Sequence, residues 1–310
     1  MSSAYEVAKP QLNEVRPQRV LTASSLVSML RPLHWSKNAF VFAPFLFTEA
    51  AQNVDNFLRT GACFGQFCLA ASAIYVLNDL LDASADRSHP RKKNRPIASG
   101  AISAPMALVI SAGLGVIGVL WAWSTGRYCG AAVAAYLING IVYSTWLKHH
   151  VLADVISIAI GFLLRLLGGC AAIHAEPSSW LLVCGFSVAL FLGFGKRRTE
   201  IETLGPDQRF RSSLRDYSAA KLDTVLAITA ALSLLSYMLF TTAPETVARH
   251  GTNHLIFTTV FVAYGLFRYL FKVQEGKGDG PTDVLGKDPV FFINGLLWAA
   301  SVYVILHVLH

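Results

Sequence analysis

Charge is what this chain has least of. Asp, Glu, Lys and Arg make up 15% of its 310 residues, against about 25% in soluble domains, while 54% are hydrophobic. The shortage is uneven, leaving long stretches almost free of charge. That excludes a pair of soluble domains and predicts a polytopic membrane protein with one helical bundle. Cysteine is also sparse. Cys63, Cys68, Cys129, Cys170 and Cys184 all lie inside apolar segments and form no C-x-x-C pair, which argues against a disulfide framework or a thiolate metal site. They read as small packing residues. No basic stretch followed by an apolar run opens the chain, so no cleaved signal peptide is expected. No low-complexity segment and no clear internal repeat appear. The net charge of +7 reports loops on one side of a membrane, and a nucleic-acid partner is not expected.

Long apolar runs are what the chain does have. Residues 1–19 are polar, contain Pro10 and Pro17, and are expected to form a disordered tail; 20–310 are expected to form a single transmembrane domain. Residues 20–30 are mildly amphipathic and suit the membrane interface. A span needs about 20 apolar residues. This places helices at 36–51, 57–80, 104–124, 127–147, 151–173, 179–196, 222–242, 253–272 and 289–308, an all-α bundle of nine transmembrane helices. The first is short and contains Pro44. With the N-terminus inside and the C-terminus outside, 22 of the 26 Lys and Arg fall on the cytoplasmic side. Arg59, Arg127 and Arg249 fall outside, and Arg165 lies within a helix. The charge asymmetry favours an integral inner-membrane protein in this orientation.

Residues 78–86 organise the rest. They read N-D-x-x-D-x-x-x-D, so in a continuous helix Asp79, Asp82 and Asp86 share one face. Facing carboxylates repel unless a cation neutralises them, and all-oxygen ligands suit Mg²⁺, which also takes phosphate oxygens. A basic loop carrying Arg87, Arg91 and Arg95 follows directly. Acids then bases at the mouth of an apolar helix predict a metal–diphosphate site at the cytoplasmic surface, with a merely solvated helix end as the alternative. Asn78 is placed to orient Asp82 or to touch a ribose hydroxyl.

Other charges add to this. Asp154 and Arg165 are eleven residues apart, so they share a helix face about 16 Å apart. A charge as deep as Arg165 costs about 2.5–3.5 kcal/mol or more to insert, so it should face the bundle interior and meet an anion or structural acceptors. Lys148 ends the fourth apolar run and is a candidate phosphate ligand. Lys37 and Asn38 open the first, where helix N–H groups favour an anion. Lys196, Arg197 and Arg198, followed by Glu200, end the sixth; they read either as phosphate ligands or as a positive-inside anchor.

The acidic motif followed by Arg95-Pro96-Ile97-Ala98-Ser99-Gly100, among about nine apolar helices, resembles the UbiA superfamily of intramembrane prenyltransferases. The resemblance covers 31 to about 300. Arg31-Pro32 with Trp35, Lys37 and Asn38, then 143–148 beginning at Tyr143, with Asp154 and Gly195-Lys196-Arg197-Arg198, are similar to a branch that uses phosphoribosyl pyrophosphate and a polyprenyl (decaprenyl) phosphate. Residues 281–285 and Asp288 add weakly. The resemblance implies a Mg²⁺-dependent glycosyltransferase that moves 5-phosphoribose onto the lipid phosphate and releases diphosphate. It also implies that Asp79, Asp82 and Asp86 hold the metal and that the basic residues, with Tyr143, Asp154 and Glu200, line the substrate site. One departure matters. Superfamily members that use aromatic acceptors carry a second aspartate-rich motif after the sixth helix; here that place is cationic. Prenyl transfer from a prenyl diphosphate is the alternative reaction, and a transporter a more distant one. The oligomeric state stays open, a homo-oligomer included.

Overall fold

The computed structural model describes residues 22–48, 51, 53–89, 92–204, 217–275 and 288–309. The expected N-terminal tail, Arg91 and 281–285 lie outside these. The described residues form helices and connecting turns with no strand. In chain order, α1 (Ala23–Leu30) leads to a 3₁₀ helix (Pro32–Phe42) and α2 (Ala43–Leu46). Then come α3 (Val54–Leu81), α4 (Ala83–Ser88), α5 (Ala104–Thr125), α6 (Arg127–Thr145), α7 (Ala153–Ala172), α8 (Ser179–Leu204), α9 (Ala219–Thr242), α10 (Pro244–His250), α11 (Thr259–Gln274) and α12 (Pro289–His307).

Among the described residues, seven helices are long and apolar enough to cross a membrane. They match seven of the expected spans, though α8 runs past its expected end at 196 and continues as helix through Leu204. The other two expected spans correspond to α6 and to the 3₁₀–α2 segment, and neither meets that measure. Bulky apolar side chains on the outer faces of α5 and α12, such as Val109, Leu120, Phe292 and Leu296, are exposed. Such faces suit lipid rather than water.

The first segment departs from a regular α-helix, and the physics is local. Pro44 has no N–H to donate, and α7 presses against the strand of backbone before it. A Cβ on Gly169 would overlap the Val41 carbonyl, and one on Gly168 would overlap the Phe67 ring. The tighter 3₁₀ coil rises about 2 Å per residue against 1.5 Å in an α-helix. Residues 32–46 therefore reach about 28 Å, close to the ~30 Å of a hydrocarbon core. At Gly161, by contrast, a Cβ would meet only ordinary contacts.

α3, α5, α6 and α7 pack around Phe67, Val133 and Tyr136, while α8, α9 and α11 pack around Phe191, Leu226 and Tyr269. The cysteines behave as packing residues: all five are free, and Cys63 and Cys129 meet sulfur to sulfur at 3.6 Å inside the first group. Asp288 caps α12 and accepts hydrogen bonds from Arg268 at 2.8 and 2.9 Å, with Lys272 at 3.1 Å. These cations hold its carboxyl well below the usual carboxylate range.

Candidate active site

The acidic stretch does not form one continuous helical face. α3 ends at Leu81, and Asp82 sits in the break at φ −89°, ψ 0° before α4 begins. The break sorts the three carboxylates. Asp79 and Asp86, both buried, converge on Arg95, whose Nη1 donates to Asp79 at 3.0 Å and to Asp86 at 2.6 Å. Asp79 also receives Arg31 Nη2 at 2.5 Å. Asp82 stands apart, with Lys148 Nζ at 2.6 Å and Asn78 Nδ2 at 3.0 Å. Asn78 thus orients Asp82, one of the two roles expected of it. Among the described residues, no three His, Cys, Asp or Glu side chains gather as a metal cluster. The carboxylates that converge are a pair rather than a triad.

Arg31, quoted from the sequence only for the family resemblance, is brought to the acids by the fold. It stands in a left-handed turn (φ 54°) between α1 and the 3₁₀ helix. α1 lies on α3 and on the 96–102 loop through Met29, Val76, Ile97 and Ile102. Trp35 donates to Ser72, and Ser72 donates to the Leu30 carbonyl, fixing the turn. The signal was a lone Arg-Pro at the end of an amphipathic stretch, which matters only once α1 folds back over the acids. Arg87, by contrast, is exposed and donates to the Ala98 carbonyl, bracing the loop that presents Arg95.

The basic end of α8 divides. Arg197 is fully buried and locked in place: Nε lies 2.7 Å from Asp154, Nη1 pairs with Glu200, and Nη2 donates to Tyr143 Oη at 3.2 Å. Arg198 turns to α9, donating to Asp223 at 2.9 Å and pairing with Glu202. The three cations expected to act together are therefore not brought together. Successive residues on a helix point about 100° apart, and each found the nearest acid. Lys196 keeps a looser contact, 3.8 Å from Glu200.

Arg165 faces the bundle interior, as its insertion cost required. It donates to Asn38 at 2.7 Å, the Gly161 carbonyl at 2.8 Å and Tyr136 Oη at 2.9 Å, and stacks over the Tyr136 ring at 4.5 Å. Asp154 shares its helix but pairs with Arg197 instead.

Lys148 lies in a short 3₁₀ helix (Leu147–His149) that runs into a strained turn. Leu152 adopts φ 66°, ψ −44°, and Ala153 N–H bonds back to the Val151 carbonyl at 2.8 Å. This is the tight turn with positive φ that side-chained residues rarely adopt. Tyr217 holds it: its hydroxyl accepts the Leu152 N–H at 2.8 Å and donates to Asp154 at 3.2 Å. Burial pushes the Tyr217 hydroxyl up to about 12, so it stays protonated and able to donate at neutral pH. Tyr217→Phe removes a hydrogen bond to the fully buried Asp154 carboxylate and the acceptor of the Leu152 N–H, a loss of about 1–3 kcal/mol. It is expected to lower the melting temperature in detergent by several degrees. An unchanged melting temperature would mean the turn holds itself.

An α-helical bundle with long apolar helices, and a broken acidic helix end faced by cations, defines an integral-membrane protein. The chain belongs to the UbiA prenyltransferase family, whose model matches residues 39–296. It is 28% identical over 290 residues to the decaprenyl-phosphate phosphoribosyltransferase of Mycolicibacterium smegmatis, covering 90% of this chain and 91% of that one. The decaprenyl-phosphate phosphoribosyltransferase of Corynebacterium glutamicum is 30% identical over 297 residues, covering 93% and 88%. A UbiA homolog from Archaeoglobus fulgidus, solved bound to GPP and Mg²⁺, shares the fold with a TM-score of 0.69 at 17% identity, covering 92% of this chain and all of that one.

Proposed function

We propose that this protein is a Mg²⁺-dependent glycosyltransferase that moves the 5-phosphoribosyl group of phosphoribosyl pyrophosphate onto a polyprenyl phosphate and releases diphosphate. The observation that carries this reading is the charge arrangement. One convergent carboxylate pair is faced by cations, and the acids at the end of α8 are already committed to Arg197 and Arg198. A site for prenyl diphosphate and an aromatic acceptor calls for a second set of carboxylates at that place. The activity named for the relatives above supports the same choice.

The residues fit a metal of this kind. Asp79 and Asp86 already converge on one cationic nitrogen of Arg95, and Mg²⁺ characteristically takes one or two protein carboxylates plus phosphate oxygens. Those two residues would hold it, with Asp82 beside them. Bound there, it would supply Lewis-acid stabilisation of a leaving diphosphate. Arg31, Arg95 and Lys148 donate to phosphate oxygens when the donor displaces their present carboxylate partners. Asn78 keeps Asp82 in place. Tyr143, held by Arg197, borders the site. An oxygen of the lipid phosphate attacks the anomeric carbon, the bond to diphosphate breaks, and diphosphate leaves with the electron pair. The attacking phosphate is already anionic, so no general base is needed. Attack from the side opposite the leaving group inverts the anomeric centre.

The same reading has nine crossings, the N-terminus inside and the acids on the cytoplasmic face, supported by the distribution of Lys and Arg. One assay tests both parts. Inside-out and right-side-out membrane vesicles receive labelled phosphoribosyl pyrophosphate, which does not cross the bilayer, with polyprenyl phosphate. Label is expected in the lipid extract of inside-out vesicles only, and excess EDTA is expected to abolish it. No lipid-soluble label in either orientation would refute the activity, and full turnover in EDTA would refute the metal.

A further inference from the structure

Below the acids lies a region of different chemistry. Lys37 and Arg165 have no carboxylate within ion-pair distance among the described residues; all three hydrogen bonds of Arg165 go to uncharged acceptors. The two are joined through sequence and contact, because Asn38, next to Lys37, accepts from Arg165. Lys37 also lies within electrostatic reach of Arg165 and Glu200, and Lys196 within reach of Lys37. Lys37 and Lys196 both lie within reach of Glu200, which already pairs with Arg197, so among the described residues the cations here outnumber that carboxylate. Arg165 is twelve residues into α7, about 18 Å from its cytoplasmic end, far too deep for a charge kept only for topology.

A mainly apolar cavity of about 510 Å³ is lined by residues that neighbour these cations in sequence, with Glu176, Glu245, Arg249 and His250 at its other end. In a 3₁₀ helix residues three apart eclipse one another, so Lys37, Phe40 and Ala43 lie on one edge. Phe40 and Ala43 line the cavity. On the facing helix, Leu166 lines it and directly follows Arg165. The Phe40 and Phe162 rings meet at 4.7 Å, and Phe162 also lies under Arg165 at 5.3 Å. The cavity extends to Cys184, Tyr237 and Trp298.

We infer that Lys37, Arg165 and Lys196 form the binding site for the phosphate of the acceptor lipid, with its first isoprene units in the cavity beneath; this rests on the glycosyltransferase reading above. A ligand bound across a cationic neck and an apolar chamber must carry an anionic head directly on an apolar chain. A phosphate monoester bears about −1.5 to −2 charges at neutral pH, which matches the local excess of cations. A chamber of this size suits the start of the chain, the remainder passing between helices into lipid. Phosphoribosyl pyrophosphate has no apolar part to fill it. The acceptor thus lies deeper than the acids, and the donor enters above it from the cytoplasm.

The test separates head from tail and acceptor from donor. Equilibrium binding of a polyprenyl phosphate and of the matching polyprenol is measured on full-length protein in detergent, without turnover. Wild type is expected to favour the phosphate at least tenfold, and Lys37→Met to lose that preference while binding the alcohol as before. Cys184→Phe, which fills the cavity, is expected to weaken both lipids at least tenfold and leave phosphoribosyl pyrophosphate binding within twofold. In steady state, Lys37→Met is expected to raise KM for the lipid at least tenfold with KM for phosphoribosyl pyrophosphate nearly unchanged. The assignment is overturned if Lys37→Met keeps the preference for phosphate, or if it weakens phosphoribosyl pyrophosphate instead, which would give these cations to the donor. Absence of transfer by wild type refutes the glycosyltransferase reading, while the binding arms still decide the lipid-phosphate site.

Discussion

Asp79→Asn and Asp86→Asn are each expected to lower transfer at least tenfold while the protein stays folded in detergent. Asn keeps the shape of the side chain but removes the charge on which Arg31 and Arg95, or Arg95 alone, now converge. A charge-assisted hydrogen bond is worth about 1.5–3 kcal/mol, and each 1.4 kcal/mol is one decade. Because this pair is proposed to hold Mg²⁺, both variants should also raise the Mg²⁺ concentration needed for half-maximal rate. Asp82→Asn gives the contrast. Asp82 faces Lys148 and Asn78, so its loss should slow transfer with a smaller effect on the Mg²⁺ requirement. Rates are measured across a Mg²⁺ titration at matched protein amounts. Wild-type rates in Asp79→Asn and Asp86→Asn would reduce these acids to structural partners of Arg31 and Arg95. Equal shifts in all three variants would restore a triad.

Arg197→Ala is expected to be the most destabilising single change at the site. It leaves the fully buried Asp154 facing no cation and releases Glu200 and Tyr143. Breaking a buried pair on one side costs about 3–5 kcal/mol, because the remaining charge is stranded. Little folded protein should survive extraction, and the melting temperature of what does should fall steeply. The double change Arg197→Met with Asp154→Leu removes both charges and should recover much of that loss. Arg198→Ala should be mild, since its partners Asp223 and Glu202 are partly exposed and such pairs contribute about 0.2–1 kcal/mol. A well-folded Arg197→Ala protein with raised KM for either substrate would make Arg197 a substrate ligand instead. Comparing the two arginines is informative because they are adjacent in sequence and alike in every property visible there.

The amino-acid sequence by itself determined the solvent, the helices and the stretch where acids and bases meet. Apolar runs of membrane length dictate helices, because an unsatisfied backbone group in lipid is too costly. Seven of the runs stand at the expected places, with α8 extended beyond its expected end. The acidic motif could be found because facing carboxylates are tolerable only beside cations, and Arg165 could be assigned to the interior from its insertion cost alone. Only the tertiary structure decided how those charges are shared. A break at Asp82, one residue long, divides a triad into a pair and a single acid. Arg31 joins the site because α1 folds back onto α3, and Tyr217 supports a turn 65 residues away. Periodicity records which way a side chain points along its own helix. It carries nothing about which charge on another helix lies within 3 Å, and in a low-dielectric interior that distance decides which cations are locked to acids.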